Sequence, residues 1–249
     1  MRVMSLPVHL VPSLAGVAAG STVTVEGDEA HHAVAVRRLR VGEDVVLTDG
    51  AGLAATGSVA STEKRSFSVA VASVASVPAP TPAVTVVQAL PKGERGELAV
   101  EVLTEIGAAR IVPWAASRSV AVWKGERAEK SLAKWRATAR EAAKQSRRSW
   151  FPEVAPLAST ADVASLVGAA DVAVVLHEEG SSRLGSVPVP SSGSVLVVVG
   201  PEGGLTPDEL AAFESAGAVT VRLGTEVLRT STAGVAAVSA LLSRTPRWS

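Results

Sequence analysis

The sequence SVLVVVGPEGGLTPDEL (residues 194–210) joins an unbroken apolar run to a glycine-rich turn and then to the start of a helix. An apolar run without alternation is typical of a strand buried on both faces, as in a parallel sheet. Thr206, Pro207 and Glu209 form a capping box with proline in the first turn, which predicts a helix start at 207. Glycines after the strand let a ligand approach the backbone. The stretch therefore predicts a ligand-binding turn at a strand's carboxyl end, although a tight turn without a ligand has the same local pattern.

Short apolar strands alternate with helices on both sides of this stretch, which indicates an α/β domain with a parallel sheet covered on both faces. In the helix predicted at 94–106, Leu98, Val102 and Ile106 share one face, and Gly107 is expected to end the helix. The predicted strands are 83–90, 110–113, 171–176, 194–199 and 219–223, and the other predicted helices are 131–148 and 232–242.

Residues 1–77 have a different pattern, which favours a small β-barrel. Runs at 22–25, 45–48 and 67–71 alternate like strands, turn residues lie at 49–52, and a short helix is predicted at 29–38. The following residues, VPAPTP, contain three prolines and favour an extended linker. We therefore expect two domains, residues 1–77 and 78–249.

Composition excludes several classes of protein. The chain has no cysteine, so it can form no disulfide, thiolate metal site or cysteine nucleophile, and a reducing cytoplasm is its natural compartment. It has neither a Walker A ending nor a dinucleotide-binding glycine fingerprint after its first α/β strand. Its histidines and carboxylates lack metal-ligand spacing, and no run approaches the roughly 18 apolar residues of a membrane span. We expect a cytoplasmic protein without metal or membrane partner; prolines interrupt the apolar N-terminus, which disfavours a signal peptide.

The charge is neutral overall but unevenly distributed. Residues 110–150 contain eleven basic and three acidic side chains, a net +8, whereas residues 151–249 contain five basic and ten acidic side chains, a net −5. A basic stripe binds polyanions even on a neutral protein, because the local electrostatic potential, and not the net charge, determines whether a polyanion binds. A solvated helix face is the equally simple alternative.

Two further strand ends resemble the glycine-rich turn in their position. Leu176-His177-Glu178-Glu179-Gly180 follows one apolar strand, and Leu223 to Thr230 follows another, with Arg229 placed between apolar strand and apolar helix. Parallel strands direct their carboxyl ends to one edge of the sheet, so these three loops are expected to converge on one pocket.

These motifs together resemble the RsmE family of 16S rRNA (uracil-N3)-methyltransferases, in the SPOUT superfamily, over nearly the whole chain. One departure is Ser231, where the family typically has Glu. The matching segments are His31-His32, Arg37-Arg38-Leu39-Arg40 before Gly42, Asp49-Gly50, Leu90-Pro91-Lys92-Gly93, Thr104-Glu105-Ile106-Gly107, Pro113, Arg118-Ser119-Val120, the segment from Trp135 to Arg148, His177-Glu178, Gly200-Pro201-Glu202-Gly203-Gly204 and Leu228-Arg229-Thr230.

The resemblance implies a SPOUT domain with a trefoil knot over roughly 172–243, an N-terminal PUA-like RNA-binding domain, a homodimer, and 16S rRNA of the small ribosomal subunit as partner. It also implies that the knot loops bind S-adenosyl-L-methionine. The expected cofactor-binding residues are Leu176, His177, Val199, Gly200, Glu202, Gly203, Gly204, Leu223, Gly224, Val227, Leu228 and Thr230.

The implied reaction methylates N3 of uracil, which loses a proton as it reacts. Glu178 or Glu202 is expected to act as the base and Arg229 to stabilise the anion. N3 lies on the Watson–Crick edge, so the uridine must be unpaired or flipped. Its stacking partners would come from Trp114, Trp123, Trp135, Trp150, His31 and His32, although packing is the commoner role of such residues. The expected RNA contacts are His32, Arg37, Arg38, Arg40, Lys92, Arg118, Arg147 and Arg148.

Two alternatives stay open at the level of sequence. One is another SPOUT enzyme, such as a tRNA ribose 2′-O-methyltransferase, which the match outside the knot disfavours. The other is a non-catalytic RNA-binding or ribosome-assembly factor with a vestigial pocket.

Overall fold

The computed structural model describes residues 6–248, which divide into two compact units. Unit 1 contains the residues up to 79 together with 144–151, and unit 2 contains residues 80–143 and 152 onward. The segment 144–151 belongs to unit 1 because its backbone bonds to the turn at 50–52: Gly52 N–H donates to Ser149 O (2.9 Å) and Phe151 N–H to Gly50 O (2.8 Å). The domain division at 77/78 stays a prediction.

Unit 1 contains a five-stranded sheet in the order β1-β3-β4-β5-β2, in which β1 pairs parallel with β3 and the other pairs are antiparallel. One long strand, β4, was not predicted, because its small residues (LAATGSVAST) lack the apolar alternation of a strand. The strands are β1 (Val8–Leu10), β2 (Thr22–Glu26), β3 (Asp44–Thr48), β4 (Leu53–Thr62) and β5 (Ser66–Ser76).

The short helix predicted at 29–38 is present in a different form. Helix α1 (Gly27–His31) continues as a π-helical turn over His32–Val36, and Arg38, the residue after its C-cap Arg37, has a φ of +57°. Leu39 N–H donates to Ala33 O (3.1 Å), six residues back, and so closes the end of the π-helical turn, and glycine is the usual residue at such a left-handed helix end.

Unit 2 is built on a seven-stranded parallel sheet in the order β10-β12-β9-β11-β6-β7-β8. Alternate residues of β6 enter separate apolar cores: Val84 and Val86 pack on one face, Val87 and Ala89 on the other. The prediction of a parallel sheet covered on both faces is therefore confirmed. The strands are β6 (Ala83–Ala89), β7 (Arg110–Trp114), β8 (Glu153–Val154), β9 (Val172–Leu176), β10 (Ser182–Arg183), β11 (Ser194–Val199) and β12 (Val219–Arg222).

The helices after α1 are α2 (Arg95–Glu105), α3 (Glu126–Gln145), α4 (Thr160–Ala169), α5 (Pro207–Ser215) and α6 (Thr230–Leu242). The basic helix α3 begins and ends earlier than predicted, and Arg147, expected inside it, has a φ of +56° beyond its end. Trp114 and Trp135 are buried in the cores, so packing is their role. Within residues 6–248, no helix is both long and apolar enough to cross a membrane.

The apolar face predicted for α2 is not the buried one. Leu98 is 44% exposed, whereas Ala99, Val100 and Leu103 are buried. Helix α6 packs closely on this side, since a Cβ added to Gly234 would lie 3.2 Å from Leu103 Cδ2. The buried face therefore combines Ala99 and Val100 with Leu103, a second apolar set at helical spacing that the prediction did not choose.

Candidate functional site

A cleft of about 1090 Å³ opens at the carboxyl edge of the parallel sheet in unit 2. The loops that follow β9, β11 and β12 form most of its wall, so the structure brings together the three strand ends that the sequence singled out. The lining residues are Lys92, Arg95, Arg118, residues 176–179 and 199–205, Pro207, Leu210, residues 222–230 and Ala233. All twelve residues predicted to bind the cofactor, and the predicted catalytic residues Glu178, Glu202 and Arg229, lie in this lining.

The glycine loop, residues 200–204, is held against the backbone of a neighbouring segment. A Cβ added to Gly203 would lie 2.9 Å from both Cβ and O of Arg118, so this approach requires glycine. The Arg118 guanidinium donates to Gly203 O (3.4 Å) and Leu205 O (3.3 Å). Arg118 thus positions the glycine loop, and its predicted contact with RNA phosphate stays a prediction.

The capping box that the sequence predicted at the start of α5 is present, and its Glu209 also binds the segment before Arg118. Thr206 N–H donates to Glu209 Oε2 (2.8 Å), and Glu209 N–H donates to Thr206 Oγ1 (3.2 Å). The other carboxylate oxygen of buried Glu209 accepts from Ser117 N–H (2.7 Å), which ties the segment before Arg118 to the helix start. Burial raises the pKa of Glu209, but the hydrogen bonds from Ser117 and Thr206 outweigh it and leave the pKa below its usual value.

The two candidate bases lie in different surroundings. Glu202 is exposed, and its Oε1 accepts the Lys92 backbone N–H (3.2 Å), which joins the loop after β6 to the glycine loop. Glu178 is exposed in the turn after β9, where Glu179 N–H donates to His177 Nδ1 (3.2 Å). That acceptor role leaves the ring proton of neutral His177 on Nε2.

The third loop ends at Arg229, the N-cap residue of α6. Its backbone O accepts from Thr232 and Ala233 (both 2.9 Å), while its exposed guanidinium makes no hydrogen bond or ion pair within the described part of the chain. A cation without an internal partner at a cleft wall is available to a ligand. Ser231 is buried, at 3% exposure, behind this cap.

Sequence reasoning missed some charged residues of the cleft. Arg95 begins α2 after β6, Arg222 ends β12, and Glu226 lies in the third loop. Applying the strand-end rule to β6 as well would have found Arg95, because β6 pairs with β11.

Most of the predicted RNA contacts lie outside the cleft, in unit 1. His32, Arg37, Arg38, Arg40 and Arg147 are exposed there, and Arg148 is half-buried. Lys92 and Arg118 line the cleft instead.

Three charged or titratable residues form a network within unit 1. His9 Nδ1 lies 3.1 Å from Glu29 Oε1, and Lys144 Nζ lies 2.9 Å from Glu29 Oε2. Burial raises the pKa of Glu29, but hydrogen bonds from His9 and Lys144 and the Lys144 charge prevail and lower it to about 2. The network connects β1, the helix before His32 and the segment before Arg147.

Known proteins match both parts of the chain. A family model described as an RNA methyltransferase domain matches residues 78–242, and one described as an RNA methyltransferase PUA domain matches residues 25–71. The Mycobacterium tuberculosis protein named ribosomal RNA small subunit methyltransferase E is 48% identical over 92% of this chain and 89% of its own length.

Solved structures agree with this similarity. A Neisseria gonorrhoeae ribosomal RNA small subunit methyltransferase E bound to S-adenosyl methionine superposes with a TM-score of 0.85 at 28% identity, over 96% of this chain and 98% of that one. A Legionella pneumophila protein in complex with the cofactor SAM superposes with a TM-score of 0.88 at 26% identity, over 97% and 98%.

Proposed function

Because this chain belongs to the ribosomal RNA small subunit methyltransferase E family of RNA methyltransferases, we propose that it transfers a methyl group from S-adenosyl-L-methionine to N3 of one uridine in 16S rRNA. The observation that carries the proposal is the convergence of three strand-end loops on one cleft.

The cleft fits the proposed donor in size and chemistry. Its volume is at the upper end of small-molecule sites, and it combines apolar walls with backbone left accessible by glycine. Glu178, Glu179, Glu202 and Glu226 offer negative charge to a sulfonium and an ammonium group, and the arginines offer positive charge to a carboxylate. When bound, S-adenosyl-L-methionine supplies an activated methyl group on a positively charged sulfur.

The chain's own residues must remove the proton from uracil N3 and stabilise the anion that is left. Holding the nitrogen as an anion costs about 1.4 kcal/mol for each pK unit between its pKa and the working pH. A carboxylate can accept this proton, and a cation can stabilise the negative charge that spreads to the neighbouring oxygens. Glu178 or Glu202 is proposed for the first task and Arg229 for the second.

The role of Arg229 is tested by Arg229→Ala. Since the anion develops as the reaction proceeds, we expect kcat to fall by about 100-fold or more while the Kd of the donor changes by about threefold or less. Arg183→Ala is the matched control, because Arg183 is an exposed arginine of unit 2 outside the cleft lining. Equal losses in kcat and in donor affinity would contradict the role.

The identity of the base is tested by comparing Glu178→Gln with Glu202→Gln. The variant that lacks the base should lose the acidic limb of the pH–rate profile, whereas the other should keep it. If both variants keep that limb, neither carboxylate is the base.

Exposed arginines of unit 1 are proposed to hold rRNA phosphates. Each phosphate contact steepens the dependence of log affinity on log salt by about 0.7–0.9. Removing Arg37 or Arg40 should therefore lower that slope by nearly one, and a slope that does not change would exclude the residue.

We further propose that the protein acts in the cytoplasm as a homodimer and that the trefoil knot spans roughly 172–243. The sheet order β12-β9-β11 supports the knot, because the chain returns past β9 after forming β11. Light scattering at micromolar concentration tests the dimer, and a monomer that is fully active would contradict it.

The function as a whole is tested by mass mapping of 16S rRNA from a strain without this gene. We expect one uridine to lose a methyl group and purified protein to restore it on small subunits. Transfer to tRNA instead would favour a ribose methyltransferase, and no heat on titration with the donor would favour a non-catalytic factor.

A further inference from the structure

A glutamine with no exposed surface lies at the carboxyl end of a central strand of the parallel sheet. Gln88 is the penultimate residue of β6, and its register partners are Val199 in β11 and Pro113 in β7. A carboxamide buried among apolar strands costs free energy unless its donors and acceptors are paired. The hydrogen-bond partners of the Gln88 carboxamide therefore indicate its role.

The carboxamide spans from its own strand to the third loop of the cleft. Its Nε2 donates to Ala89 O (3.1 Å) and to Thr230 O (3.2 Å). Both partners are carbonyl oxygens, so exchanging the amide N and O would place oxygen against oxygen, and the orientation is determined. Its Oε1 has no partner within residues 6–248. An unpaired buried acceptor is destabilising, so stability alone does not account for glutamine at this position.

The bond to Thr230 acts on the residue that follows Arg229. Thr230 is 6% exposed, begins α6 and lines the cleft. Residues 224–229 are all exposed, and no side chain caps the helix at Arg229. A hydrogen bond from the sheet therefore holds the backbone at the point where an exposed loop becomes a helix.

We propose that Gln88 is a positioning residue, which places the Arg229 guanidinium at the cleft by anchoring the Thr230 carbonyl to the end of β6. The inference rests on the role proposed above for Arg229. Gln88 does not touch the reactants, so its effect on the reaction passes through the loop.

The test uses Gln88→Leu and Gln88→Met, two apolar replacements that remove the bond to Thr230. They also remove the unpaired oxygen, so we expect melting temperatures within a few degrees of the parent. We expect kcat on rRNA to fall by roughly tenfold or more, a larger factor than the change in donor Kd. Val84→Ala, a cavity at the opposite end of the same strand, is the control: it should lower the melting temperature and leave kcat of the folded protein unchanged.

A double-mutant cycle separates positioning from general damage. In an Arg229→Ala background, Gln88→Leu should change kcat by less than about twofold, because the group that it positions is gone. An unchanged kcat in both single variants would overturn the inference, and so would an equal loss of kcat in both backgrounds. A folded parent protein that methylates no rRNA would instead overturn the proposed function, which the same assay detects before any variant is compared.

Discussion

Glu29→Gln is expected to weaken unit 1 at neutral pH and to have little effect in acid. The Glu29 carboxylate accepts from His9, in the tautomer with its proton on Nδ1, and from Lys144 Nζ. Glutamine keeps the shape but loses the charge that Lys144 faces. Because this network connects the helix before His32 with the segment before Arg147, we also expect weaker rRNA binding.

The magnitude follows from the lowered pKa. A pKa of about 2 in place of the usual 4.5 corresponds to about 3.5 kcal/mol of stabilisation, at about 1.4 kcal/mol per pK unit. The side chain keeps 18% of its surface exposed, and solvent screening reduces the expected value to about 2–3 kcal/mol. Since the pKa is lower in the folded state, this stabilisation is present above pH 4.5 and is lost as the pH falls towards 2.

Hydrogen exchange of the β3 and β5 amides measures the free energy of opening of unit 1, which is compared between parent and variant at each pH. We expect the free energy of opening to be about 2–3 kcal/mol lower in the variant at pH 7, and we expect this gap between the two proteins to shrink steadily below pH 4.5. Glu43→Gln, which removes an exposed carboxylate of the same unit, should show no such gap. A gap that is the same at pH 3 and pH 7 would refute the electrostatic explanation and leave only packing.

Two other predictions concern backbone geometry. Arg38→Gly and Arg147→Gly should each raise the free energy of unfolding by about 0.5–1 kcal/mol, because both arginines follow helix ends with φ of 57° and 56°, where glycine is unstrained. The same variants should bind rRNA more weakly in filter binding, and a loss of stability would contradict the backbone argument. Gly203→Ala should weaken donor binding by roughly tenfold or more in calorimetry, because its Cβ would lie 2.9 Å from Arg118. Gly185→Ala, which has no atom within 4 Å of the added Cβ, should bind normally, and normal binding by Gly203→Ala would show that the loop adjusts without cost.

The sequence was sufficient to predict those features that depend on interactions between residues close together in the chain. The apolar run at 194–199 and the capping box from Thr206 to Glu209 depend on neighbours a few residues away, and both are present as predicted. The same kind of pattern predicted most of the strands and helices of unit 2, and with them the convergence of strand ends on one edge. It did not predict helix α4 or the two-residue strands β8 and β10. Short-range periodicity and turn chemistry, read from the sequence alone, thus determined the fold class and located the cleft.

Only the tertiary structure shows which side chains line the cleft and which hold its loops in place from behind. Arg118 holds the carbonyls of the glycine loop, Glu209 binds a segment 92 residues away, and Gln88 reaches Thr230 across 142 residues. It also decided the buried face of α2, where Ala99, Val100 and Leu103 are buried and Leu98 is exposed. Such pairings depend on distances between segments far apart in the chain, and no local pattern of residues encodes those distances.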